Sequence, residues 1–194
     1  MKTQAIILAA GASRRLGRAK QLVQTEGETL LSRTVRIVLD SGVTTIVVVL
    51  GANHESITKA VDLSGVHSVI NPDWEQGVAS SIRTGVLEIQ RLDPDSGAVM
   101  ILACDQPRLT ATYLRSMVEA QEGAVEPTII ASEYSGVVGI PAIFPASQFR
   151  NLMGLRGDVG AKQILRNSKS AIITFPLAEG ELDVDRPADL ARLS

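Results

Sequence analysis

"AIILAAGASRRLGRAKQL" (residues 5–22) is the stretch from which the rest of the chain is read. Residues 5–9 are short and wholly apolar, as in a strand covered on both faces. The run breaks directly into a turn with two glycines, and Arg14, Arg15, Arg18 and Lys20 crowd seven residues of that turn. Glycine lets a backbone approach a ligand closely. A cluster of N–H groups at a helix start favours phosphate, and Arg15 and Lys20 add full charges suited to its oxygens. Polyphosphate is the guest that fits, with a solvated charged turn as the plainer alternative. Two familiar phosphate patterns fail. Five residues, not four, separate Gly11 from Gly17, and Arg18 stands where the G-x-x-x-x-G-K-[ST] loop has lysine; no G-x-G-x-x-G is present either.

Outward from this stretch, apolar runs alternate with helical patterns. Strands are expected at 45–51, 66–70 and 97–105, and helices at 29–42, 54–63, 75–92 and 110–123. Strands separated by helices imply right-handed βαβ units and an α/β fold with a mostly parallel sheet. After residue 125 the pattern loosens. Two short strands around a glycine turn fit 127–145, two short helices fit 147–168, a late strand fits 171–176, and a terminal helix at 187–193 opens on Pro187. No internal repeat, low-complexity tract or linker interrupts residues 1–194, so a single domain is expected.

Composition narrows the function classes. Hydrophobic residues are 45% of the chain but aromatics only 3%, so an aliphatic core is expected. With 19 basic and 21 acidic residues the net charge is −2, which argues against a nucleic-acid binder and makes any basic site local. Cys104 is the only cysteine, so no internal disulfide forms and a cytoplasmic setting fits. The N-terminal apolar run is too short and too quickly followed by arginines to be a signal peptide or a membrane span. His54 and His67 lack ligand partners at metal spacing, and Cys104 has no adjacent histidine, so none of them is a catalytic candidate.

Residues 8–22, "LAAGASRRLGRAKQL", resemble the nucleotidyltransferase opening L-A-A-G-x-S-x-R-[ML]-G-x-x-K-x-L. "NPDWEQGVASSIRTG" (71–85), "CDQP" (104–107), "GIPAIF" (139–144), "GDVGAK" (157–162) and "DVDRPADL" (183–190) follow in the order found in MobA-like nucleotidyltransferases. The set is most similar to the molybdenum cofactor cytidylyltransferase branch. Ala10 carries that distinction, because guanylyl relatives typically read L-A-G-G. The resemblance implies a three-layer α/β/α, Rossmann-like fold of the nucleotide-diphospho-sugar-transferase type. It implies a nucleotide-binding part over about 1–125 and an acceptor-binding part over about 126–194. The implied reaction transfers CMP from CTP to the phosphate of molybdopterin with Mg2+, releasing pyrophosphate. Implied partners are the nucleotide, the pterin cofactor and, transiently, a molybdoenzyme or its chaperone, with no nucleic acid or membrane. Two alternatives stay open: a same-fold transferase using GTP or another phosphorylated acceptor, and a non-catalytic accessory protein that delivers the cofactor.

Residue by residue, the resemblance assigns Arg15 and Lys20 to triphosphate binding and catalysis, and Leu8, Ala9, Ala10, Gly11 and Ser13 to the nucleotide through the loop. Asn71 and Gly77 are expected to help read base and ribose, and a hydroxyl of Ser80 or Ser81 to reach a base edge or the acceptor, with a plain helix interior as an equally good role for these two serines. Asp105 ends an apolar strand, where a carboxylate faces the ligand crevice and suits Mg2+; capping the turn before Pro107 is its plainer role. Asp185, preferred to Asp183, is the second metal candidate, and N-capping of the terminal helix is nearly as good a role for it. Arg186 stands where the family pattern has threonine. Pro141, Phe144, Gly157 and Asp158 are expected to bind the acceptor; Ile140 departs from the usual polar residue, and Asp158 has N-capping of the following helix as its alternative.

Overall fold

The structure is a computed structural model that describes residues 2–168 and 171–192. In chain order its elements are β1 (Thr3–Ala9), β2 (Gln24–Thr25), β3 (Glu28–Thr29), α1 (Leu30–Asp40), β4 (Ile46–Leu50), α2 (His54–Ala60), β5 (His67–Ile70) and α3 (Val78–Leu92). They continue with β6 (Ala98–Ala103), α4 (Ala111–Gly123), β7 (Ile129–Tyr134), β8 (Val137–Pro145), α5 (Phe149–Gly154), α6 (Lys162–Asn167) and β9 (Ile172–Pro176). Among the described residues, seven strands form one sheet in the order β5-β4-β1-β6-β8-β7-β9. β1, β4, β5 and β6 run parallel, β8 runs antiparallel to both its neighbours, and β9 is parallel to β7.

Alternating side chains of the buried strands feed two aliphatic layers. Ile7 faces a cluster with Leu31, Val35 and Val38 of α1, Ile57 of α2, and Leu114 and Met117 of α4. Ile6 faces Ile82, Val86 and Ile89 of α3, Leu152 of α5, and Ile164 and Leu165 of α6. Helices thus cover both sheet faces, which is the expected three-layer α/β/α arrangement. Gly85 lets α3 lie close on β1, since a Cβ there would stand 2.6 Å from Ile6 Cγ2.

Three local readings differ from expectation. The hairpin β2–β3 has only two residues per strand, too few for periodicity, and turns on Glu26 (φ 51°) and Gly27 (φ 85°). The helix expected from residue 75 begins at Val78, after a 3-10 turn over Trp74–Gln76 and a Gly77 with φ 98°. The terminal helix is a 3-10 segment, Pro187–Arg192. The expected glycine turn at 127–145 is present as Ser135 (φ 49°) and Gly136 (φ 72°), a two-residue hairpin joining β7 to β8.

From β1 the chain moves outward on one side through β4 and β5, then crosses back to β6 on the other side. Connections therefore diverge beyond the carboxyl ends of β1 and β6, the place where open α/β sheets bind ligands. The basic loop follows β1 there, and Asp105 follows β6.

Candidate active site

The loop after β1 is shaped by its own residues. Ser13 takes a positive φ of 53°, its carbonyl accepts from the N–H groups of Leu16 (3.0 Å) and Gly17 (3.1 Å), and its Oγ accepts from Lys20 N at 3.1 Å. Gly17 supplies the second left-handed turn at φ 76°. Leu16 and Val23 then bury against Leu30 and Val184, which anchors the loop to the C-terminal segment. Instead of the helix start expected for phosphate binding, a single 3-10 turn over Lys20–Leu22 follows. The loop's positive character therefore comes from side chains, with little help from a helix dipole.

Lys20 is the centre of the arrangement. Its Nζ donates to Asp105 Oδ2 in a short contact and to Asp185 Oδ1 at 3.2 Å. Arg15 Nη2 closes the chain on Asp185 Oδ2 at 2.6 Å. Charges alternate along Asp105, Lys20, Asp185 and Arg15. Burial alone would lower the Lys20 pKa, but Asp105, helped by Asp185, outweighs it and raises the group above the ordinary lysine value. Asp183 is exposed as a whole residue, yet partial desolvation of its carboxyl, and then the negative charges of Asp105 and Asp185, push the group up to about 7. Carboxylate charge is thus in local surplus around one ammonium.

Donor chemistry here suits a divalent cation that arrives with phosphate oxygens and water, which needs only one or two protein carboxylates. No group of three or more His, Cys, Asp or Glu residues able to hold a metal occurs among the described residues. Asp105 and Asp185 are the two available. Asp185 is not the cap of the terminal segment: Asp189 Oδ2 accepts from the N–H groups of Asp185 (3.0 Å) and Arg186 (2.7 Å), leaving the Asp185 carboxylate for Lys20 and Arg15. The segment reaches the site because Val184 is wholly buried and its N–H donates to the Asp105 carbonyl at 3.2 Å.

A cleft of about 600 Å³ opens beside this charge chain. Of the site candidates read from the sequence, Leu8, Ala10, Gly11, Ser13, Lys20, Gly77, Asp105 and Asp158 line it. Arg14, Trp74, Ser81 and Ile140 also line it. Arg14 pairs with Glu75 at 3.5 Å across the exposed mouth. Arg15 lies outside the lining and reaches the site only through Asp185.

Several expected ligand residues turn out to brace the walls. Ala9 is buried and its carbonyl accepts from Gln21 Nε2 at 2.6 Å; the same nitrogen reaches the Gly11 carbonyl at 3.1 Å. Gln21 thus pins the loop from a fully buried position that its place in "AKQL" did not betray. Asn71 is also buried: Nδ2 donates to Ser80 Oγ (2.8 Å) and Ser81 Oγ (3.0 Å), while Oδ1 accepts from Asp73 N (3.0 Å). Ser80 Oγ can donate to the carbonyls of Asp73 (2.9 Å) and Gly77 (2.8 Å), so its hydroxyl is committed inside the wall. Ser81 is the serine on the cleft.

The acceptor-side residues divide similarly. Phe144 is wholly buried in β8 opposite Val99, a core position and not a cleft wall, because the strand's alternation turns it toward α3. Pro141 is buried and its carbonyl accepts from Ser132 Oγ at 2.8 Å. Gly157 supplies φ 62° and a carbonyl that accepts from Ala79 N at 3.2 Å. Asp158 lines the cleft, and its Oδ1 accepts from Val78 N at 3.4 Å, so the helix it caps is α3 and not the one that follows it. Gly77 permits this approach, since a Cβ there would lie 2.5 Å from the backbone of Gly157 and Asp158. Burial pushes the Cys104 thiol up to about 12, in line with an inert cysteine. No helix among the described residues is long and apolar enough to cross a membrane.

The family model for the MobA-like NTP transferase domain matches residues 5–172. The purine catabolism protein PucB of Bacillus subtilis (strain 168) is 29% identical over 95% of this chain and 92% of its own length. Nicotine blue oxidoreductase of Paenarthrobacter nicotinovorans is 29% identical over 97% and 94%. Molybdenum cofactor cytidylyltransferase of Escherichia coli (strain K12) is 24% identical over 95% and 91%. Among solved structures, Rv0371c of Mycobacterium tuberculosis H37Rv superposes with a TM-score of 0.88 at 27% identity, covering 100% of this chain and 97% of that one.

Proposed function

The chain belongs to the MobA-like NTP transferase family, and on that premise we propose that it transfers CMP from CTP to the phosphate of molybdopterin. A phosphate oxygen of the acceptor attacks the α-phosphorus of CTP, the bond to the β-phosphate oxygen breaks, and pyrophosphate leaves. The observation that carries this reading is the convergence of Lys20, Asp105 and Asp185 beside a cleft bordered by the glycine loop.

Such chemistry asks a protein for positioning and charge stabilisation. A divalent cation, Mg2+ in this reading, would be held by Asp105 and Asp185 and would neutralise charge on the triphosphate. Lys20 stabilises the charge that builds on the α-phosphate and on the leaving pyrophosphate. Arg15 orients Asp185. The backbone from Leu8 to Gly11, with Ser13 holding its turn, receives the nucleotide, and Ser81 faces the base and ribose from the opposite wall. Asp158 and Ile140 border the side left for the acceptor. A cytoplasmic setting and brief contact with a molybdoenzyme or its chaperone belong to the same reading.

CTP is favoured because Ala10, a residue of the cleft lining, stands where guanylyl relatives typically have glycine. Molybdopterin as acceptor is supported by similarity to the E. coli cytidylyltransferase. A second reading, binding and delivery of the cofactor without transfer, is favoured by the names of the 29%-identical relatives, neither of which is called a nucleotidyltransferase. Pyrophosphate release with ATP, CTP, GTP and UTP and purified molybdenum cofactor separates the readings. Release with CTP is expected; cofactor binding with no release for any nucleotide would establish delivery instead. Ala10→Gly is expected to move the CTP:GTP preference toward GTP by about 10-fold, the scale of one methyl in a pocket, and an unchanged ratio would remove Ala10 as the discriminator.

A further inference from the structure

Another cavity, of about 790 Å³, lies away from the charge chain, between α5, α6 and the loop that joins them. Leu155 and Ile164 contribute apolar surface to it, while Arg150, Arg156, Gln163 and Asn167 contribute polar groups. No carboxylate side chain is among the described residues lining it. Local charge is unlike that of the chain as a whole: residues 146–168 hold four basic residues against the single acid Asp158. That acid is turned the other way, onto the first turn of α3 and the nucleotide cleft.

The two arginines are differently prepared. Arg156 Nη1 donates to the carbonyls of Met153 (2.9 Å) and Leu155 (2.8 Å), which fixes the guanidinium at the C-terminal end of α5. Arg150 is exposed and makes no hydrogen bond or ion pair among the described residues. Two guanidinium groups lining one cavity, with no carboxylate among its described lining residues, suit phosphate, which each can bind through paired N–H groups. Apolar surface beside it suits a flat organic body. The volume lies within the range of small-molecule sites.

The wall of this cavity is also a wall of the nucleotide cleft. Leu155 and Arg156 face one side and Asp158 the other. Three bonds tie that stretch to the N-terminal half of α3: Arg83 Nη1 to the Leu155 carbonyl (2.7 Å), Ala79 N to the Gly157 carbonyl (3.2 Å), and Val78 N to Asp158 Oδ1 (3.4 Å). We infer that the α5–α6 cavity is an effector site for a small aromatic phosphate, and that its occupant acts on the nucleotide cleft through residues 155–158. The coupling is energetic and reciprocal: whatever the occupant does to nucleotide affinity, the nucleotide does to the occupant's.

1-Naphthyl phosphate is a minimal probe with a fluorescent ring and one phosphate. Titrations are run on the wild type, on Lys20→Ala, on the Arg150→Ala/Arg156→Ala double variant and on Arg150→Glu. The last changes an exposed, unpartnered side chain and so keeps the test valid if the double variant fails to fold. Binding to the wild type and to Lys20→Ala with similar affinity is expected, with at least a 10-fold loss in the arginine variants and at least a 10-fold weaker response to 1-naphthol. The probe is also expected to shift the midpoint of CTP binding in the wild type and not in the arginine variants. Loss of binding in Lys20→Ala with retention in the arginine variants would place the probe in the nucleotide cleft and overturn the inference. So would absence of saturable binding to the wild type at millimolar probe, or a CTP midpoint indifferent to bound probe. Each readout is a binding measurement, so a failure of the proposed transfer reaction would not change what these titrations show about the α5–α6 cavity.

Discussion

Lys20 carries opposite obligations in structure and in chemistry. It neutralises Asp105, which is only 7% exposed, and it faces the cleft in which a triphosphate is proposed to sit. Lys20→Ala is therefore expected to reduce pyrophosphate release by about 10²- to 10³-fold, the scale of one lost charge-stabilising donor. It is also expected to lower Tm by leaving the buried Asp105 carboxylate unpaired and Asp185 with Arg15 alone, and millimolar Mg2+ is expected to restore part of that loss by binding the folded state. Thermal melts with and without the ion, beside a turnover assay, check both; wild-type turnover in the variant would end the assignment. Asp183 offers a pH test. Its folded-state pKa of about 7 lies above the ordinary carboxyl value, so its contribution to stability is present at low pH and is lost as pH rises from about 4 to about 7. Asp183→Asn is expected to gain Tm relative to wild type between pH 5 and pH 8, and parallel Tm–pH curves would contradict the shift. At this scale the sequence was most legible where a residue's place depends on chain-local spacing: Gly11, Ser13 and Lys20 all lie on the cleft. It was least legible where burial decides. Ser80 and Ser81 are adjacent and chemically identical, and only the path of α3 turns the first into the wall and leaves the second on the cleft. Gln21 carries no motif-level sign of being fully buried, and no sequence pattern announces a side chain that hydrogen-bonds carbonyls ten and twelve residues earlier.

Elements with strong periodicity matched expectation, and short ones governed by tertiary contacts did not. The apolar runs became β1, β4 and β6 because continuous burial on both faces requires continuous apolar sequence. Polar Gln4 still extends β1, because its amide donates to Asp93 Oδ2 at 2.6 Å and so can be buried. The β2–β3 hairpin left little trace in the sequence because two-residue strands have no period, and Glu26-Gly27 was its one local sign. The terminal segment took 3-10 geometry, with Asp189 drawing in the first N–H groups from within the turn. Gly85 shows how an element's placement can be tested. Gly85→Ala improves helix propensity by up to about 1 kcal/mol, but its Cβ would press on Ile6 in the filled core beneath α3, where overpacking costs about 1–3 kcal/mol. A lower urea midpoint with an unchanged m-value is expected, whereas a higher midpoint would mean that α3 can lift from β1 at little cost.

On the scale of the molecule, the site is assembled from segments far apart in the chain: the loop after β1, the end of β6, and residues 183–185. The late segment is held by Val184, buried in the small cluster with Leu16, Val23 and Leu30. Val184→Asp is expected to release that segment, because an unpaired carboxylate is not tolerated at a fully buried position. Limited proteolysis is expected to cut within residues 177–192, and turnover to fall, while the main melting transition moves little; an uncut chain with normal turnover would show that Asp185 needs no such anchor. The fold class was legible because alternation of strand and helix constrains topology severely. The reversal of β8 against β6 was not, since the expected hairpin sets β8 against β7 and leaves its other neighbour open.

That reversal has an architectural consequence. β7 runs in the same direction as β1, so the Ser135–Gly136 turn lies at the ligand-binding end of the sheet. Kept to two residues, it is too short to fold over the mouth as a flap. On the proposed reading the acceptor side then carries no flap from this hairpin tip, which suits a bulky guest or one handed over while still held by another macromolecule. Lengthening a surface loop costs little stability, so on the proposed transfer reading the breadth of acceptors is expected to be adjustable at one hairpin tip without altering Lys20, Asp105 or Asp185.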